Sequence, residues 1–252
     1  ETHVDNSILD SQSFLQTNVL GTQNLLNIAR ERKASLFVQI STDEVYGSLE
    51  FNQRASLEID QFIPSSPYSA SKAAAEMFCM AAIKTFNQPI IITRSSNNFG
   101  PRQFPEKVIP LFITNLIQGK KVPLYGEGKN ARDWIYVEDF IDGLFEAMEK
   151  IEKLTGESVG IGTGTRIWNK EIADKIQKIA GRKVKVEKGT KRSYEIPFYD
   201  AVGLPNKKIG YPIREGEIRK EITFFHVAKT PLEIGLKRVY DHPEERLSLN
   251  DK

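Results

Sequence analysis

The sequence has almost no cysteine, almost no excess of charge and no long apolar run. Its one cysteine, Cys79, cannot form an internal disulfide, and the apolar helical run around it favours a small buried thiol. A chain without disulfides is typical of a reducing compartment, so we expect a cytosolic protein. The 35 basic and 33 acidic residues give a formal net charge of +2. No block of one sign indicates a nucleic-acid or membrane partner, and we expect neither.

No apolar segment approaches the roughly 18 residues that a membrane-spanning helix needs. The longest candidate, 108–117, is interrupted by Pro110, Thr114 and Asn115. No signal-peptide pattern is present either. The first residues, 1–5, contain no initiator methionine and no helix-capping context, so the sequence looks like one that is cut into midway.

The spacing of apolar residues predicts an alternation of helices and strands. At 252 residues, the chain is long enough for one large domain, or for one domain with a smaller lobe. Strands in regular alternation with helices are typical of a doubly wound, parallel α/β sheet with right-handed crossovers. The predicted helices are 11–33, 67–85, 105–118, 137–153 and 168–180, and the predicted strands are 36–40, 89–94, 122–125, 158–164 and 183–187.

Polar motifs follow the first two predicted strands directly. These are "STDEVYG" at 41–47 and "SSNNFGP" at 95–101. Parallel sheets bind ligands at the carboxyl ends of their strands, so both motifs are expected to face one crevice. An alternative is that the acidic pair Asp43 and Glu44 only caps the next turn.

Tyr68 and Lys72 are four residues apart at the start of a predicted helix. This spacing places the phenol and the ammonium on one face, one turn apart. A nearby positive charge favours the phenolate form, as a general base requires. Alone, the Tyr-x-x-x-Lys pattern is weakly specific, but here it lies between two strands that end in Ser-Thr and Asn-Asn.

With these motifs, the chain resembles the extended short-chain dehydrogenase/reductase superfamily, and within it the nucleotide-sugar 4,6-dehydratases that act on dTDP-glucose. The similarity is nearly continuous from residue 1 to about 146. Related epimerases and decarboxylases also have a Ser/Thr, a Tyr-x-x-x-Lys and an Arg-Asp near Arg132, but the Asp-Glu pair after Thr42 marks the dehydratases. The resemblance is carried by "ETHVDNSI", "TNVLGTQNLL", "ISTDEVYG", "SPYSASKAAAE", "RSSNNFGPRQFPEKVIP" and "VPLYGEGKNARDWIYVEDF".

The resemblance implies a Rossmann-like fold and a bound NAD. Residues 1–120 would form the later part of the NAD-binding domain with the catalytic residues. Residues 121–252 would form mainly a smaller α+β substrate-binding lobe, with the helix near 137–153 packing back on the Rossmann part. The superfamily also implies a homodimer through a helical bundle that includes the Tyr-x-x-x-Lys helix.

The resemblance also implies roles for individual residues. Tyr68, assisted by Lys72 and Thr42, would take the proton of the sugar 4-hydroxyl while a hydride passes from C4 to NAD. Glu44 would then remove the C5 proton, Asp43 would protonate the departing 6-hydroxyl, and the hydride would return to C6. The implied cofactor contacts are Thr2, Thr17, Tyr68, Lys72 and Asn98. The implied contacts to the nucleotide-diphosphate sugar are His3, Thr42, Asn97, Glu106, Lys107, Val108, Pro110, Leu111, Pro123, Tyr125 and Arg132, and no metal is expected.

Some of these residues also have ordinary structural readings. An isolated histidine such as His3 is more often a surface residue than a ligand contact. Tyr125 is as consistent with a core residue as with a substrate contact. In the substrate lobe, Gly160 stands where the family usually has Asn. Arg192 is only a loose match to a diphosphate-binding Arg, and 212–227 is an extra stretch. Substrate identity is therefore predicted less firmly than reaction type.

The main departure from the superfamily is the missing Gly-rich loop that holds the NAD pyrophosphate. Gly160, Gly162 and Gly164 form G-x-G-x-G, but too late in the chain, so we read that match as chance. The sheet is thus predicted to be N-terminally truncated, with an unpaired edge at 36–40. Three explanations stay open: a piece of a longer chain, a missing part supplied by a partner, or a decayed member that pairs its edge in an oligomer.

The functions that compete with the dehydratase interpretation are a nucleotide-sugar epimerase and a non-catalytic homologue that binds a nucleotide sugar or a partner chain.

Overall fold

The computed structural model of the protein describes residues 1–49, 54–125, 128, 130–183, 186–189, 224–226 and 229–241. Its helices are α1 (Val4–Leu9), α2 (Ser11–Phe14), a π-helical segment (Leu15–Leu20), α3 (Gly21–Glu31), α4 (Pro67–Phe86), α5 (Val108–Ile117), α6 (Val137–Glu149), α7 (Ile151–Leu154), α8 (Asn169–Ala180) and α9 (Leu232–Asp241). Its strands are β1 (Phe37–Thr42), β2 (Ile90–Ser95), β3 (Asn97–Phe99), β4 (Val122–Tyr125), β5 (Ala131–Tyr136), β6 (Ser158–Gly162), β7 (Arg166–Trp168), β8 (Val186–Gly189) and β9 (Phe224–His226).

The main sheet has four parallel strands in the order β1-β2-β6-β9. All six residues of β2 are buried, as expected of a strand that is covered on both faces. On one face Ile90 packs with Leu26 of α3 and Cys79 of α4. On the other face Ile91 packs with Phe140 of α6. The predicted doubly wound, parallel α/β architecture is therefore confirmed.

Local sequence signals account for the start and end of α4. Ser66 is the N-cap residue and forms a reciprocal capping box with Ser69, and Pro67 occupies the first turn. At the other end, Asn87 adopts the left-handed conformation that commonly ends a helix. These signals depend on neighbours within a few residues, and the predicted helix 67–85 agrees with the observed one to one residue.

A second group of strands and helices surrounds a separate apolar core. Strands β3, β5 and β7 form one small sheet, and β4 pairs with β8. The core is composed of residues from β3, α5, β4, β5, α8 and α9, among them Ile113, Ile172 and Leu236. Strands β6 and β9 lie after residue 120 in the sequence but pair in the main sheet. The division of the chain into two parts near residue 120 stays a prediction.

The start of the chain differs from the sequence-based expectation. The absence of a capping context at 1–5 was a wrong inference, because the His3 ring nitrogen accepts a hydrogen bond from the Asn6 N–H and caps α1. A histidine cap is hard to foresee, since Ser, Thr, Asp and Asn dominate that position. The predicted helix 11–33 is observed as α2, the π-helical segment and α3 in succession.

The free thiol of Cys79 is buried, as predicted. Within the described ranges, no helix is both long and apolar enough to cross a bilayer.

Candidate active site

The two polar motifs lie side by side at the carboxyl ends of β1 and β2. The parallel register pairs Ser41 with Arg94 and Thr42 with Ser95. Strand β1 is longer than predicted and ends at Thr42, so the acidic pair follows it without a gap. This places "STDEVYG" and "SSNNFGP" at one edge of the sheet, where ligands of parallel sheets bind.

Residues Asp43–Tyr46 form a single 3₁₀ turn, which we call the acidic turn. Thr42 caps it: its hydroxyl accepts a hydrogen bond from the Glu44 N–H at 3.2 Å and lies 3.2 Å from Asp43 Oδ1, to which it donates. The two carboxyl side chains belong to residues that are only 3% and 9% exposed. An acidic pair that only capped a surface turn would be solvated, so burial points to a chemical use.

The Tyr68–Lys72 pair is positioned by the first two turns of α4. Tyr68 is buried and its ring packs edge-on against Phe14, with the centroids 6.3 Å apart. The Lys72 ammonium donates a hydrogen bond to the Ile40 carbonyl at 2.6 Å, two residues before the end of β1. This contact joins the Tyr-Lys helix to the strand that leads into the acidic turn.

Burial lowers the pKa of Lys72, and the nearby charge of Glu76, one helical turn further along α4, opposes that shift. The hydrogen bond to Ile40 uses one of the three donors of the ammonium. A neighbouring phenol and ligand hydroxyls can accept from the other two.

The first residues of the chain reach the same region. Lys107, which precedes α5, donates a hydrogen bond from Nζ to the Thr2 carbonyl at 3.1 Å. His3 Nε2 lies 3.7 Å from a carboxylate oxygen of Glu106. Burial lowers the pKa of Lys107, whereas Glu106 and Glu44 raise it, so Lys107 lies within electrostatic range of the acidic turn. Thr2, His3, Glu106 and Lys107 are thus brought together, and Lys107 is the member of this group that senses the charge of Glu44.

The π-helical segment contacts α4 through Asn18, which sequence reasoning did not select. Its amide donates hydrogen bonds to the Glu1 carbonyl at 3.0 Å and to the Ser71 hydroxyl at 2.9 Å. The predicted cofactor residue Thr17 is adjacent and exposed. Single π-helical turns within longer helices are frequent at functional sites, and an irregular helical repeat is the signal that could have drawn attention to this segment.

Several buried polar atoms at the strand ends have no hydrogen-bond partner among the described residues. They are the hydroxyl oxygens of Ser41 and Ser96 and the side-chain carbonyl oxygens of Asn97 and Asn98. The Asn98 amide nitrogen, in contrast, donates to Ser95 Oγ at 3.1 Å and to the Ser96 carbonyl at 3.2 Å. Unpartnered buried acceptors are costly, and here they fit a ligand that brings carboxamide and hydroxyl donors, as NAD does.

The remaining predicted substrate residues lie on three elements, α5, β4 and β5. Val108, Pro110 and Leu111 lie in the first turn of α5, and Pro110 is buried. Pro123 lies in β4 and Arg132 in β5, where the Arg132 guanidinium donates to the Ala131 carbonyl at 2.7 Å. The backbone of Tyr125 belongs to β4, but its side chain is outside the described part of the structure. Arg192 and, except for 224–226, the stretch 212–227 also lie outside the described residues.

Asp133 holds the β5 strand against the end of β6. Its carboxylate is fully buried and accepts hydrogen bonds from the Thr163 and Gly164 N–H groups, both at 2.9 Å. The Arg132 backbone is fixed by this anchor because the two residues are adjacent. The superfamily's Arg-Asp signature was visible in sequence, but the partner at Thr163 was not.

The sequence profile of the NAD dependent epimerase/dehydratase family matches residues 1–162. The chain is 46% identical over 181 residues to a dTDP-glucose 4,6-dehydratase from Streptomyces griseus. The aligned residues cover 72% of this chain and 54% of that relative. The chain spans about half the length of the curated relatives it matches.

Solved structures of two related enzyme types have a similar fold. A dTDP-glucose 4,6-dehydratase from Streptomyces venezuelae with NAD and TYD bound has a TM-score of 0.83 and 34% identity, covering 97% of this chain and 71% of that chain. A Thermus thermophilus UDP-glucose 4-epimerase in complex with NAD has a TM-score of 0.81 and 25% identity, and the match covers 96% of this chain and 74% of the epimerase chain. The fold is therefore common to both types, and the sequence is more similar to the dehydratase.

Proposed function

The chain belongs to the NAD dependent epimerase/dehydratase family, and from this premise we propose that it carries the catalytic residues of a nucleotide-sugar 4,6-dehydratase, a lyase. The proposed reaction converts dTDP-glucose to dTDP-4-keto-6-deoxyglucose. One observation carries the proposal: two adjacent carboxyl groups, Asp43 and Glu44, are buried in a turn at the end of β1, beside the Tyr-Lys helix. An epimerase needs an acid-base group for the redox step but no such pair for loss of water.

Tyr68 is the proposed base for the sugar 4-hydroxyl. The support is that Tyr68 lies in the first turn of α4 and that Lys72, one turn later, is hydrogen-bonded to the Ile40 carbonyl of β1. A protonated Lys72 stabilises the phenolate, and Thr42 is the proposed hydrogen-bond partner of the same sugar oxygen. Oxidation at C4 makes the C5 hydrogen acidic because the resulting carbanion is conjugated with the ketone.

The acidic turn would then carry out the elimination. Glu44 takes the proton from C5, Asp43 gives a proton to the 6-hydroxyl, and water leaves as the C5–C6 double bond forms. When C6 is then reduced, Glu44 returns its proton to C5, which completes the 4-keto-6-deoxy sugar. Two carboxyl groups can divide the acid and base roles when their surroundings differ. Here Asp43 accepts a hydrogen bond from the Thr42 hydroxyl, whereas Glu44 interacts with the charge of Lys107. The assignment of Glu44 as base and Asp43 as acid follows the family resemblance.

We propose NAD as the cofactor, held on this chain by Thr2, Thr17, Tyr68, Lys72 and Asn98. When bound, NAD supplies a hydride acceptor for C4 and, once reduced, a hydride donor for C6. The unpartnered carbonyl oxygen of Asn98 and hydroxyls of Ser41 and Ser96 are the support for this assignment. These atoms would have hydrogen-bonding capacity for the carboxamide and the ribose hydroxyls of NAD.

The nucleotide-diphosphate sugar is proposed to bind along His3, Asn97, Glu106 and Lys107, with Arg132 on the diphosphate. An Arg fork suits paired phosphate oxygens, because it can donate two parallel hydrogen bonds. The proposed nucleotide side consists of Val108, Pro110, Leu111, Pro123 and Tyr125.

The test is to incubate the complete protein with dTDP-glucose and NAD and to identify the products by NMR. We expect a 4-keto-6-deoxy sugar nucleotide. Interconversion of sugar epimers without loss of water would instead establish the epimerase alternative. Absence of any NAD binding by calorimetry would establish the non-catalytic alternative.

We further propose a homodimer formed through α3 and α4. Large apolar side chains that a monomer would leave in water lie on these two helices, including Leu25 at 57% and Ile28 at 53% exposed on α3, and Met77 and Phe78 on α4. Exposed apolar side chains gathered on two neighbouring helices are typical of interfaces. Light scattering should give the mass of a dimer, and Phe78→Glu should shift it to that of a monomer.

We also propose a cytoplasmic location. The support is that the one cysteine of the sequence, Cys79, is a free, buried thiol, as is typical of proteins from a reducing compartment.

A further inference from the structure

An arginine is buried near the carboxyl end of β2, an inner strand of the main sheet. Arg94, in β2, is 2% exposed and is the largest of the fully buried side chains among the described residues. A buried charge is very costly unless it is paired and hydrogen-bonded, so its partners show what the residue is for.

On one side, Arg94 binds Glu76 of α4. Its Nε lies 3.0 Å from one carboxylate oxygen and 3.2 Å from the other, and its Nη2 lies 2.7 Å from the first. Glu76 is completely buried and follows Lys72 by one helical turn. A forked pair of this kind fixes orientation as well as distance, so β2 and the Tyr-Lys helix are held in one relative position.

On the other side, Arg94 binds the acidic turn. Its Nη1 donates to the hydroxyl oxygen of Tyr46, the last residue of that turn, and to the Glu58 carbonyl at 2.8 Å. The guanidinium also lies over the rings of Phe62 and Tyr46, with its central carbon 4.7 Å and 5.1 Å from their centroids. One side chain therefore contacts both elements that carry the proposed catalytic groups.

We propose that Arg94 is a positioning residue that fixes the acidic turn relative to the Tyr-Lys helix, an inference that rests on the proposed dehydratase function. The reaction needs this coupling because Tyr68 acts at C4 and Asp43 and Glu44 act at C5 and C6 of the same sugar. Catalytic groups must be held to within about 0.5 Å of the productive geometry, and a loop without such a contact is less well fixed than a helix or strand.

Tyr46→Phe tests this proposal most directly. It removes the hydroxyl that links Arg94 to the acidic turn and keeps the aromatic ring and the Arg94–Glu76 pair. The matched control is Ser158→Ala, which removes another hydroxyl partner of Arg94, 3.2 Å from Nη2, on β6 and away from the turn. If Tyr46→Phe does not fold, Arg94→Lys takes its place, since it keeps the charge beside Glu76 but loses the fork.

The first readout is amide hydrogen exchange over residues 41–47, measured in the complete protein without substrate. We expect faster exchange in this segment in Tyr46→Phe, with exchange in α4 unchanged, and no change in Ser158→Ala. Equal exchange in the two variants would overturn the proposal.

The second readout separates kcat from KM. In Tyr46→Phe, we expect kcat for dehydration to fall between about tenfold and 100-fold with KM nearly unchanged, because the binding residues remain in place. Turnover equal to that of Ser158→Ala would overturn the positioning role. Failure of the unaltered protein to form a keto-deoxy product would count against the proposed function instead, and the exchange readout does not depend on it.

Discussion

At the ends of β1 and β2 the buried side chains are largely polar, whereas in the core between α5, α8 and α9 they are apolar and the charges lie outside. The first region, around the acidic turn, buries Thr42, Asp43 and Glu44, and the Arg94–Glu76 pair lies beneath them. The second region, which we call the apolar core, is surrounded by exposed ion pairs such as Lys175–Glu233 and Lys237–Asp241.

The contrast indicates a division of work between the two regions. Buried hydrogen-bonded groups contribute little net stability but specify one geometry, while apolar burial contributes stability in proportion to area. Substitutions in the first region that leave no buried group unpartnered should therefore change catalysis more than stability, and substitutions in the apolar core should do the reverse.

Tyr68→Phe should have the largest effect. Loss of the proposed base should lower kcat by about 100-fold to 10,000-fold, while the melting temperature stays close to that of the unaltered protein. Steady-state kinetics and calorimetry measure the two quantities. Tyr240→Phe, beside the apolar core, is the control and should keep full turnover; an active Tyr68→Phe would refute the assignment of the base.

Leu236→Ala should have the opposite effect. Leu236 is fully buried in the apolar core, so truncation should reduce the free energy of unfolding by about 2–5 kcal/mol. Turnover should remain near normal at temperatures where the variant is folded. Ile234→Ala on the same helix is the control, because Ile234 is 49% exposed and its loss should change little. Urea denaturation measures the difference, and equal losses would show that the core does not dominate stability.

Gly47→Ala should affect both properties, since it alters the backbone that ends the acidic turn. Gly47 has φ +78°, and a Cβ there would lie 2.0 Å from the Ile63 carbonyl oxygen. Gly119→Ala is a matched control, because Gly119 has φ +69° with no atom within 4 Å of a Cβ. The control carries only the conformational penalty of about 1–2 kcal/mol. Gly47→Ala should lose more stability than that and should also lose turnover; equal unfolding energies would show that the loop at Ile63 yields readily.

The pH dependence should report on Lys72. Burial lowers its pKa, so its ammonium is lost at a lower pH than that of an exposed lysine, and the phenolate of Tyr68 then loses its stabilising charge. The alkaline limb of kcat/KM should therefore lie below the ordinary lysine value of about 10.4. Any residual activity of Lys72→Arg should lack this limb, because Arg stays protonated. Lys107→Arg should retain it, and loss of the limb in that variant would assign it to Lys107.

The smallest effect is expected at the surface of the apolar core. Lys237 and Asp241 form an exposed pair one helical turn apart, and Lys237→Ala should reduce the unfolding free energy by less than about 0.5 kcal/mol. Thermal melts at low and high salt measure this. A larger, salt-sensitive loss would show that ion pairs stabilise this region as well.

The sequence alone determined much of the local structure. Helix α4 could be placed to within one residue because its cap, its first-turn proline and its apolar positions are all within the segment. Strand β4 was placed correctly from its four residues. The two polar motifs could also be assigned to one edge of the sheet, because both follow strands directly and strand ends are where parallel sheets bind ligands. The catalytic roles of their residues stay a proposal.

Only the tertiary structure decided how distant segments meet. Strand β6 lies beside β2 although about 60 residues separate them, and no sequence feature of either strand predicts this pairing. Sequence reasoning did not select Arg94, because its partners Glu76 and Tyr46 lie in other segments, 18 and 48 residues away along the chain. The physical reason is that caps and periodicity arise from neighbours in sequence, whereas a buried charge is stabilised only by partners that folding brings to it.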